Sequence, residues 1–171
     1  QRATNFSQQN LPVCEYRDDI ITKVGSNENI LIMSDTGSGK STKIPQFCMA
    51  LIKEKERIIC TQPRRIAAIS LAKRVAWELN TAPGEVVGYM VRFDNKFTKS
   101  SRLIYATDGS LLRESISDPM LSRYSIIILD EAHERSLHTD ILFGVVKKAQ
   151  SQRKSENRSA LKIVIMSATI C

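Results

Sequence analysis

The 171 residues of the chain are enough for one domain with a sizeable core, since a domain of this size removes roughly 70% of its unfolded surface from water. An excess of 25 Lys and Arg over 18 Asp and Glu gives a formal charge of +7, which is compatible with a polyanionic partner but does not by itself indicate one. No apolar run approaches the roughly 18–20 residues of a membrane span, so we expect no interaction of these residues with a membrane.

The four cysteines (Cys14, Cys48, Cys60 and Cys171) are scattered and include no C-x-x-C pair. This spacing argues against a zinc site and a disulfide framework, and it favours a reduced, intracellular compartment. The N-terminus does not resemble a signal peptide. Because the chain starts at Gln1 and stops directly after an apolar strand, we expect a piece of a longer protein. No large dimer stripe is visible, so we also expect a monomer.

Residues 1–10 are polar, and we expect them to be flexible. After them, short apolar runs predict strands at 29–34, 57–62, 86–93, 101–108, 124–130 and 161–168. Several of these runs are continuously apolar and β-branched, as is typical of strands covered on both faces.

Two segments between the strands have the apolar periodicity of helices, at residues 64–80 and 136–150. Their apolar stripes are Ala68, Leu71, Ala72, Val75, Ala76 and Leu79 in the first, and Leu137, Ile141, Leu142, Val145 and Ala149 in the second. Strands that alternate with helices predict an α/β fold with a mostly parallel sheet and helices on both faces. The charged segment 147–159 is predicted to be a fraying helix end and an exposed loop.

Residues 29–42, NILIMSDTGSGKST, run from a strand through a glycine-containing turn into a helix. The turn is close to the phosphate-binding pattern G-x-x-x-x-G-K-[ST], in which backbone N–H groups converge on phosphate oxygens at a helix N-terminus. The candidate nucleotide-binding residues are Thr36, Gly37, Ser38, Gly39, Lys40, Ser41 and Thr42. Lys40 would neutralise phosphate charge, and the Ser41 hydroxyl would bind Mg²⁺. The alternative, a glycine turn with an incidental lysine, is disfavoured because the strand, the turn and all later residues of the pattern are in place.

Ser34 occupies the position at which the phosphate-binding pattern has glycine. Glycine reaches backbone angles that cost other residues roughly 1–2 kcal/mol. A penalty of that size would weaken nucleotide binding by about ten- to thirty-fold at most, and a serine in the β region would lose nothing. We therefore expect Ser34 to be tolerated in a working loop.

The run SIIILDEAH (125–133) predicts a buried strand that ends in two carboxylates. Ligands of open α/β sheets bind at the carboxyl ends of the strands. Asp130 is therefore a candidate Mg²⁺ ligand, and Glu131 is a candidate general base that also lies beside the metal. A helix N-cap pair is the alternative reading of two adjacent acids, and the phosphate loop upstream makes it less attractive.

The segments TGSGKS (36–41) and DEAH (130–133) resemble those of the DEAH-box ATP-dependent RNA helicases. The similarity continues, in the family's order, through TQPRRIAA (61–68), VGYMVRFD (87–94), TDGSLLRE (107–114), DEAHERSLHTD (130–140) and SAT (167–169). This resemblance implies a RecA-like three-layer sandwich, with residues 11–171 as the first of two RecA-like domains. It also implies ATP or ADP, with other nucleoside triphosphates tolerated, together with Mg²⁺.

The resemblance implies further roles that spacing alone does not give. Arg74 would stack on the nucleobase, and His133 would join Glu131, Asp130 and Lys40 among the catalytic residues. The residues predicted to contact the backbone of single-stranded RNA are Arg64, Arg65, Arg92, Asn95 and Thr107. Ser167, Ala168 and Thr169 would couple the γ-phosphate to domain motion. The alternative for each arginine is a solvated surface position without a ligand. The alternative for His133 is a hydrogen-bonded polar residue near the core.

The family's second RecA-like domain, which carries the arginine fingers, has no counterpart in the sequence. Arginine fingers accelerate hydrolysis by about 10³–10⁵, so we expect the chain alone to bind nucleotide weakly and to hydrolyse it negligibly. The second domain of the same full-length chain and activator proteins are expected partners. The resemblance implies a nuclear or nucleolar location, with the cytoplasm as the alternative.

Two other functions stay open from the sequence. The first is a nucleotide-binding RNA clamp in which Ser34 marks lost catalysis. The second is another phosphate-loop NTPase, such as a kinase or a transporter ATPase, and the segments TQPRR and SAT argue against it.

Overall fold

Seven strands form one sheet in the computed structural model, which describes residues 11–169. The strands are β1 (Asn29–Ser34), β2 (Ile58–Gln62), β3 (Val87–Val91), β4 (Asp94–Lys96), β5 (Leu103–Thr107), β6 (Ile126–Leu129) and β7 (Lys162–Ala168). Their order is β1-β7-β6-β2-β5-β3-β4, and neighbours are parallel except in the β3–β4 hairpin. The predicted α/β fold with a mostly parallel sheet is confirmed.

Helices cover both faces of the sheet. They are α1 (Arg17–Ser26), α2 (Lys40–Cys48), α3 (Arg65–Glu78), α4 (Asp108–Ser117) and α5 (Leu137–Ser155), with short 3₁₀ helices at Pro12–Tyr16, Met49–Leu51 and Ala132–Glu134. Residues of α1, α2 and α3, such as Val24, Ile44 and Ala72, pack into one core. Leu111 of α4 and Leu142 of α5 belong to a second core. The molecule is therefore a three-layer sandwich. Because the helices cover the faces of the sheet, a binding site can form from the loops at the ends of the strands.

The strand predicted at 86–93 was too long. Strand β3 ends at Val91, and the chain reverses at Phe93, whose φ of 66° lies in the left-handed region. The short strand β4 then pairs antiparallel with β3. A left-handed residue is not visible in an apolar pattern, so the sequence did not predict this hairpin. The predicted flexibility of residues 1–10 lies outside the described residues.

The helix end and exposed loop predicted within 147–159 are both present, but the loop is shorter than expected because α5 continues to Ser155. The reason is Arg153, which is only 2% exposed although it lies in a charged segment. Its guanidinium donates to the carbonyl oxygens of Met120, Leu121 and Tyr124, with distances of 2.8 Å to the first and the last. These bonds satisfy three carbonyl groups of the loop that precedes β6, and they hold the last turns of α5 against that loop.

The apolar stripe predicted on α5 was partly wrong. Leu137 and Ile141 are 74% and 47% exposed, whereas Leu142, Val146 and Ala149 are buried. Ile141 precedes the buried Leu142 by one residue, which turns its side chain by about 100° around the helix axis, away from the sheet. Leu137 is the first residue of α5 and is followed by the exposed His138. Among residues 11–169, no helix is long and apolar enough to cross a membrane.

Candidate functional site

The predicted site residues lie along one edge of the sheet, where the carboxyl ends of the parallel strands meet. The predicted nucleotide loop follows β1, and the two predicted carboxylates follow β6, which is separated from β1 only by β7. The residues predicted to contact RNA lie at the ends of β2, β5 and β3 and in β4, which are the next strands in the sheet. The topology therefore places the predicted nucleotide residues and the predicted RNA residues on adjoining halves of the edge, referred to below as the nucleotide half and the RNA half.

The loop between β1 and α2 has the backbone of an anion site. Gly37 and Gly39 have φ values of 81° and 92°, which glycine adopts without strain. A Cβ on Gly39 would lie 2.6 Å from Leu11 Cδ1, so this position is also closed sterically to larger residues. Gly39 immediately precedes α2 and has no side chain that could cap it. The first N–H groups of this nine-residue helix are left for an anion, at the positive end of the helix dipole.

Ser34 does not require the angles of glycine. It is the last residue of β1, pairs with Ala168 of β7, and has no positive φ. Its backbone oxygen accepts a bond of 3.0 Å from Thr169 N, and its Oγ lies 3.0 Å from Ser38 Oγ. The loop therefore departs from the strand after Ser34, and the serine adds a contact within the loop.

Lys40, Ser41 and the two carboxylates form one cluster. Lys40 is 6% exposed, and its Nζ lies 3.1 Å from Glu131 Oε1 and 3.9 Å from Asp130 Oδ1. Ser41 Oγ donates to Asp130 Oδ2 over 2.6 Å, and Gln62 Nε2 donates to the same oxygen over 2.7 Å. Residues 89 to 91 positions apart in sequence thus meet at the helix N-terminus.

The carboxyl of Asp130 is 2% exposed, and this burial raises its pKa, although the bonds from Ser41 and Gln62 and the charge of Lys40 act in the opposite direction. A divalent cation would offset the same desolvation. Carboxylate and hydroxyl oxygens are the ligands that Mg²⁺ prefers. The oxygens of Asp130, Ser41 and Glu131 therefore fit a magnesium ion bound together with phosphate.

Glu131 is held in a sparsely populated backbone conformation, with φ 58° and ψ 35°. Residues in such conformations cluster at functional sites. Its Oε2 lies 3.2 Å from His133 Nε2, and His133 Nδ1 accepts a bond of 3.1 Å from Ala168 N. Because Nδ1 accepts, the ring proton lies on Nε2 and points to Glu131. The imidazole thus joins the carboxylate to the end of β7.

The end of β7 also contacts the start of the phosphate loop. Thr169 Oγ1 donates to Asp35 Oδ1 over 2.5 Å, in addition to its backbone bond to Ser34. Ser167 lies one residue before the contact of Ala168 with His133. The segment SAT (167–169) therefore touches both the loop and the group that holds Glu131.

Arg74, predicted to stack on a base, lies on α3 with 44% of its side chain exposed. Its Nε is 3.7 Å from Glu78 Oε2, and its guanidinium carbon lies 5.1 Å from the centre of the Trp77 ring. Glu78 in turn accepts a bond of 2.6 Å from Lys43 of α2. The helix that carries Arg74 is thus tied to the helix that begins at the phosphate loop.

Two of the residues predicted to contact RNA are exposed arginines near carboxylates. Arg64 Nη2 lies 2.9 Å from Glu134 Oε1, and Arg65 Nη2 lies 3.9 Å from Asp94 Oδ2. Arg92 follows β3, with its guanidinium 4.8 Å from the Phe93 ring centre, and the exposed Asn95 lies in β4. Thr107, the last residue of β5, is half-buried, and its Oγ1 is 2.8 Å from Ser110 Oγ. A cleft of about 520 Å³ adjoins this surface, lined among others by Arg92, Asn95 and Arg113.

Four residues that connect the two halves of the edge were not predicted from the sequence. Gln62 and Glu134 contact Asp130 and Arg64, as described above. The other two form a second link, in which Thr139 Oγ1 donates over 2.8 Å to Asp108 Oδ2, and Asp108 directly follows Thr107. Burial raises the pKa of Asp108, while the bond from Thr139 acts in the opposite direction. All four lie inside the segments TQPRRIAA, DEAHERSLHTD and TDGSLLRE, so inspection of the polar residues of each motif could have found them.

Comparison with known proteins decides the family. Residues 15–171 match the DEAD/DEAH box helicase family. The chain belongs to the DEAD/DEAH box helicase family. The resemblance carried by the phosphate loop, the DEAH box and the SAT segment is confirmed. The fold of the domain agrees with it, since a mostly parallel sheet places those segments on one edge.

Curated relatives of this helicase domain include proteins named ATP-dependent RNA helicase DHX33. The chain is 50% identical to that of Drosophila melanogaster over 164 residues, covering 95% of the chain and 24% of the relative. It is 47% identical to that of Homo sapiens over 169 residues, covering 98% and 24%. It is 46% identical to that of Mus musculus over 171 residues, covering 99% and 24%. The chain thus spans about a quarter of the length of these relatives. The segment LFGVVKKAQ (142–150) predicts the same subgroup.

Proposed function

We propose that this chain is the first motor domain of an ATP-dependent RNA helicase, which binds nucleotide with Mg²⁺ and the backbone of a single RNA strand on adjoining halves of one sheet edge. The observation that carries the proposal is the short segment 131–134. Glu131 contacts Lys40 of the phosphate loop at 3.1 Å, and Glu134 contacts Arg64 of the RNA half at 2.9 Å. One segment of four residues therefore touches both ligand surfaces.

The phosphate loop would hold the β- and γ-phosphates of ATP. The N-terminus of α2 supplies N–H donors, and Lys40 supplies a buried positive charge. Lys40 now pairs with Glu131 and Asp130, so bound phosphate would take over part of this pairing. The relatives named ATP-dependent RNA helicases support ATP as the nucleotide. Stacking on Arg74 reads no base identity, which supports tolerance for other nucleoside triphosphates.

Magnesium would be held by Ser41 and Asp130, with Glu131 beside it. When bound, the ion supplies positive charge that offsets the charge of the phosphates. Gln62 fixes the orientation of the Asp130 carboxylate through a bond of 2.7 Å, so the carboxylate is already turned towards Ser41. The protein thus orients its ligands before the nucleotide binds.

Glu131 is the residue we propose as general base. A general base accepts the proton of the attacking water and must lie within hydrogen-bond reach of it. The contacts with Lys40 and His133 fix the two oxygens of the carboxylate at the edge of the phosphate loop, and its side chain is 25% exposed, so water can reach it. His133 and Thr169 would transmit a change at the γ-phosphate to the end of β7, because they connect Glu131 and Asp35 to this strand.

RNA would bind across the ends of β2, β5 and β3, through Arg64, Arg65, Arg92, Asn95 and Thr107. Contacts of this kind to phosphate and sugar carry no sequence information. A second RecA-like domain of the same full-length chain would close on this edge and supply the arginines that stabilise the transition state. Cycles of closing and opening would then move the protein along the strand in the 3′ to 5′ direction.

The experiment is performed on the full-length protein with Glu131→Gln, and with Glu54→Gln at an exposed glutamate as matched control. We expect Glu131→Gln to retain ATP and RNA binding but to lose both RNA-stimulated hydrolysis and duplex unwinding, while Glu54→Gln keeps all four. Unwinding that is insensitive to Glu131→Gln would contradict the proposal. RNA and ATP binding by the unmodified protein without hydrolysis would favour the alternative, a nucleotide-binding RNA clamp.

A further inference from the structure

Trp77 is the only tryptophan of the chain, and it is 53% exposed on α3. It contributes little to the core, in contrast to Val75 and Ala76 beside it, which are fully buried. Its ring is instead covered by the guanidinium of Arg74, whose central carbon lies 5.1 Å from the ring centre. A large exposed aromatic residue with an arginine over its face needs a reason other than the stability of the fold.

Arg74 is restrained from a second side. Its Nε lies 3.7 Å from Glu78 Oε2, and the Glu78 side chain is only 5% exposed. Glu78 is fixed by Lys43 Nζ at 2.6 Å and by Gln46 Nε2 at 3.4 Å, both on α2. The carboxylate and the indole therefore restrain the guanidinium from two sides. The Arg74 side chain is nevertheless 44% exposed, so part of its surface is open to a ligand on a helix that Glu78 ties to the helix beginning at the phosphate loop.

We propose that Trp77 is a positioning residue for the nucleobase, which acts by holding the guanidinium of Arg74 flat so that its exposed surface stacks on the base. This inference rests on the proposed function. An unsupported arginine has many side-chain rotamers, and part of this rotamer entropy is lost when a base orders it. Contact with the indole removes part of this cost in advance. Trp77 therefore contributes to affinity for a nucleoside phosphate, and not to affinity for phosphate alone.

The test measures binding of Mg-ADP and of Mg-pyrophosphate to the chain by calorimetry, since pyrophosphate lacks the base. We expect Trp77→Ala to weaken the binding of Mg-ADP by about three- to tenfold, because the substitution removes a cation–π interaction. The binding of Mg-pyrophosphate should be unchanged, because the phosphate loop is not altered. Trp77→Phe, which keeps an aromatic face, should recover most of the affinity. Far-ultraviolet circular dichroism checks that each variant is folded.

A double variant separates positioning from direct contact. Because Trp77 acts through Arg74, Arg74→Ala with Trp77→Ala should bind Mg-ADP as weakly as Arg74→Ala alone. Unchanged Mg-ADP affinity in Trp77→Ala, equal losses for Mg-ADP and Mg-pyrophosphate, or additive losses in the double variant would each overturn the inference while the proposed function stands. Failure of the unmodified chain to bind either ligand would overturn the proposed function and the inference with it.

Discussion

Replacing Ser34 by glycine would restore the common first residue of the phosphate loop, and we predict that it does not improve nucleotide binding. Ser34 lies in β1, paired with Ala168, and its φ is not positive, so it has no backbone strain for glycine to relieve. The substitution instead removes the hydroxyl that lies 3.0 Å from Ser38 Oγ. It also adds conformational freedom to the unfolded chain.

The expected effect is a loss of stability. Glycine within a strand loses about 0.5–1 kcal/mol relative to alanine. A hydroxyl contact is worth a further amount of about 0.5–1.5 kcal/mol, near the lower end here because Ser34 is only partly buried. The free energy of unfolding should fall by about 1–2 kcal/mol in total. For a domain of this size this corresponds to a decrease in Tm of about 2–8 °C.

Thermal unfolding followed by circular dichroism and calorimetric titration with Mg-ADP check this prediction. Ser34→Ala is the matched control, since it loses the hydroxyl but keeps the Cβ, and it should show about half the decrease in Tm. Gly37→Ala tests a position that does need glycine, because its φ of 81° is strained for alanine. A Cβ there would meet nothing within 4 Å, so the substitution tests backbone strain and not a steric clash. It should weaken Mg-ADP by about fivefold or more, whereas Ser34→Gly changes the affinity by less than about twofold. Tighter binding by Ser34→Gly, by about tenfold, would refute the reasoning.

Three further predictions concern charged groups. Because burial raises the pKa of Asp130, the folded state binds a proton more readily than the unfolded state. The free energy of unfolding of the unmodified chain should therefore decrease as the pH rises above the ordinary carboxyl pKa of about 4. Asp130→Asn should gain Tm relative to the unmodified chain as the pH rises above about 4, and a constant difference in Tm would contradict this. Glu134→Gln releases Arg64 and should tighten binding of a single-stranded RNA oligonucleotide by about two- to fivefold at low salt, measured by fluorescence anisotropy, and weaker binding would count against the contact. Arg153→Met leaves buried carbonyl oxygens without donors and should lower the free energy of unfolding, measured in urea, by about 3 kcal/mol. Arg158→Met, at an exposed arginine, is the control and should change the free energy of unfolding by less than about 0.5 kcal/mol. Similar values for the two variants would exclude the proposed role of Arg153.

The features predicted well from the sequence are those that repeat or that form a local motif. Strands such as 29–34 and 161–168 are continuous apolar runs, and their positions agree with β1 and β7 within one residue. The phosphate loop and the DEAH box are short motifs whose residue types follow from the chemistry of phosphate and metal binding. Their meeting at one sheet edge follows from the parallel topology, which the alternation of strands and helices already indicates.

The features that could not be predicted from the sequence depend on long-range packing. Arg153 lies in a charged run that is typical of an exposed loop, and only the carbonyl oxygens of a segment about 30 residues upstream explain its burial. Gln62 contacts Asp130 because β2 happens to be the neighbour of β6, and strand order is not visible in periodicity. The exposure of Ile141 follows from its one-residue offset from the buried Leu142, which depends on how α5 lies on the sheet.

The RNA contacts of Arg64, Arg65, Arg92, Asn95 and Thr107 remain predictions. Arg64 and Arg65 are both near carboxylates, so RNA would have to compete with Glu134 and Asp94 for them. A competition of this kind would make the position of the segment 131–134 sensitive to RNA. It gives a physical reason to expect RNA-stimulated hydrolysis in the full-length protein.

The most direct test of the central claim is a calorimetric titration of the chain with Mg-ADP, with Lys40→Ala measured beside it. Lys40 is the buried cation between the phosphate loop and the two carboxylates. The account predicts saturable one-to-one binding that weakens by at least about tenfold in Lys40→Ala, because the positive charge that faces the phosphates is lost. No saturable binding by the unmodified chain, or equal binding by both proteins, would contradict it.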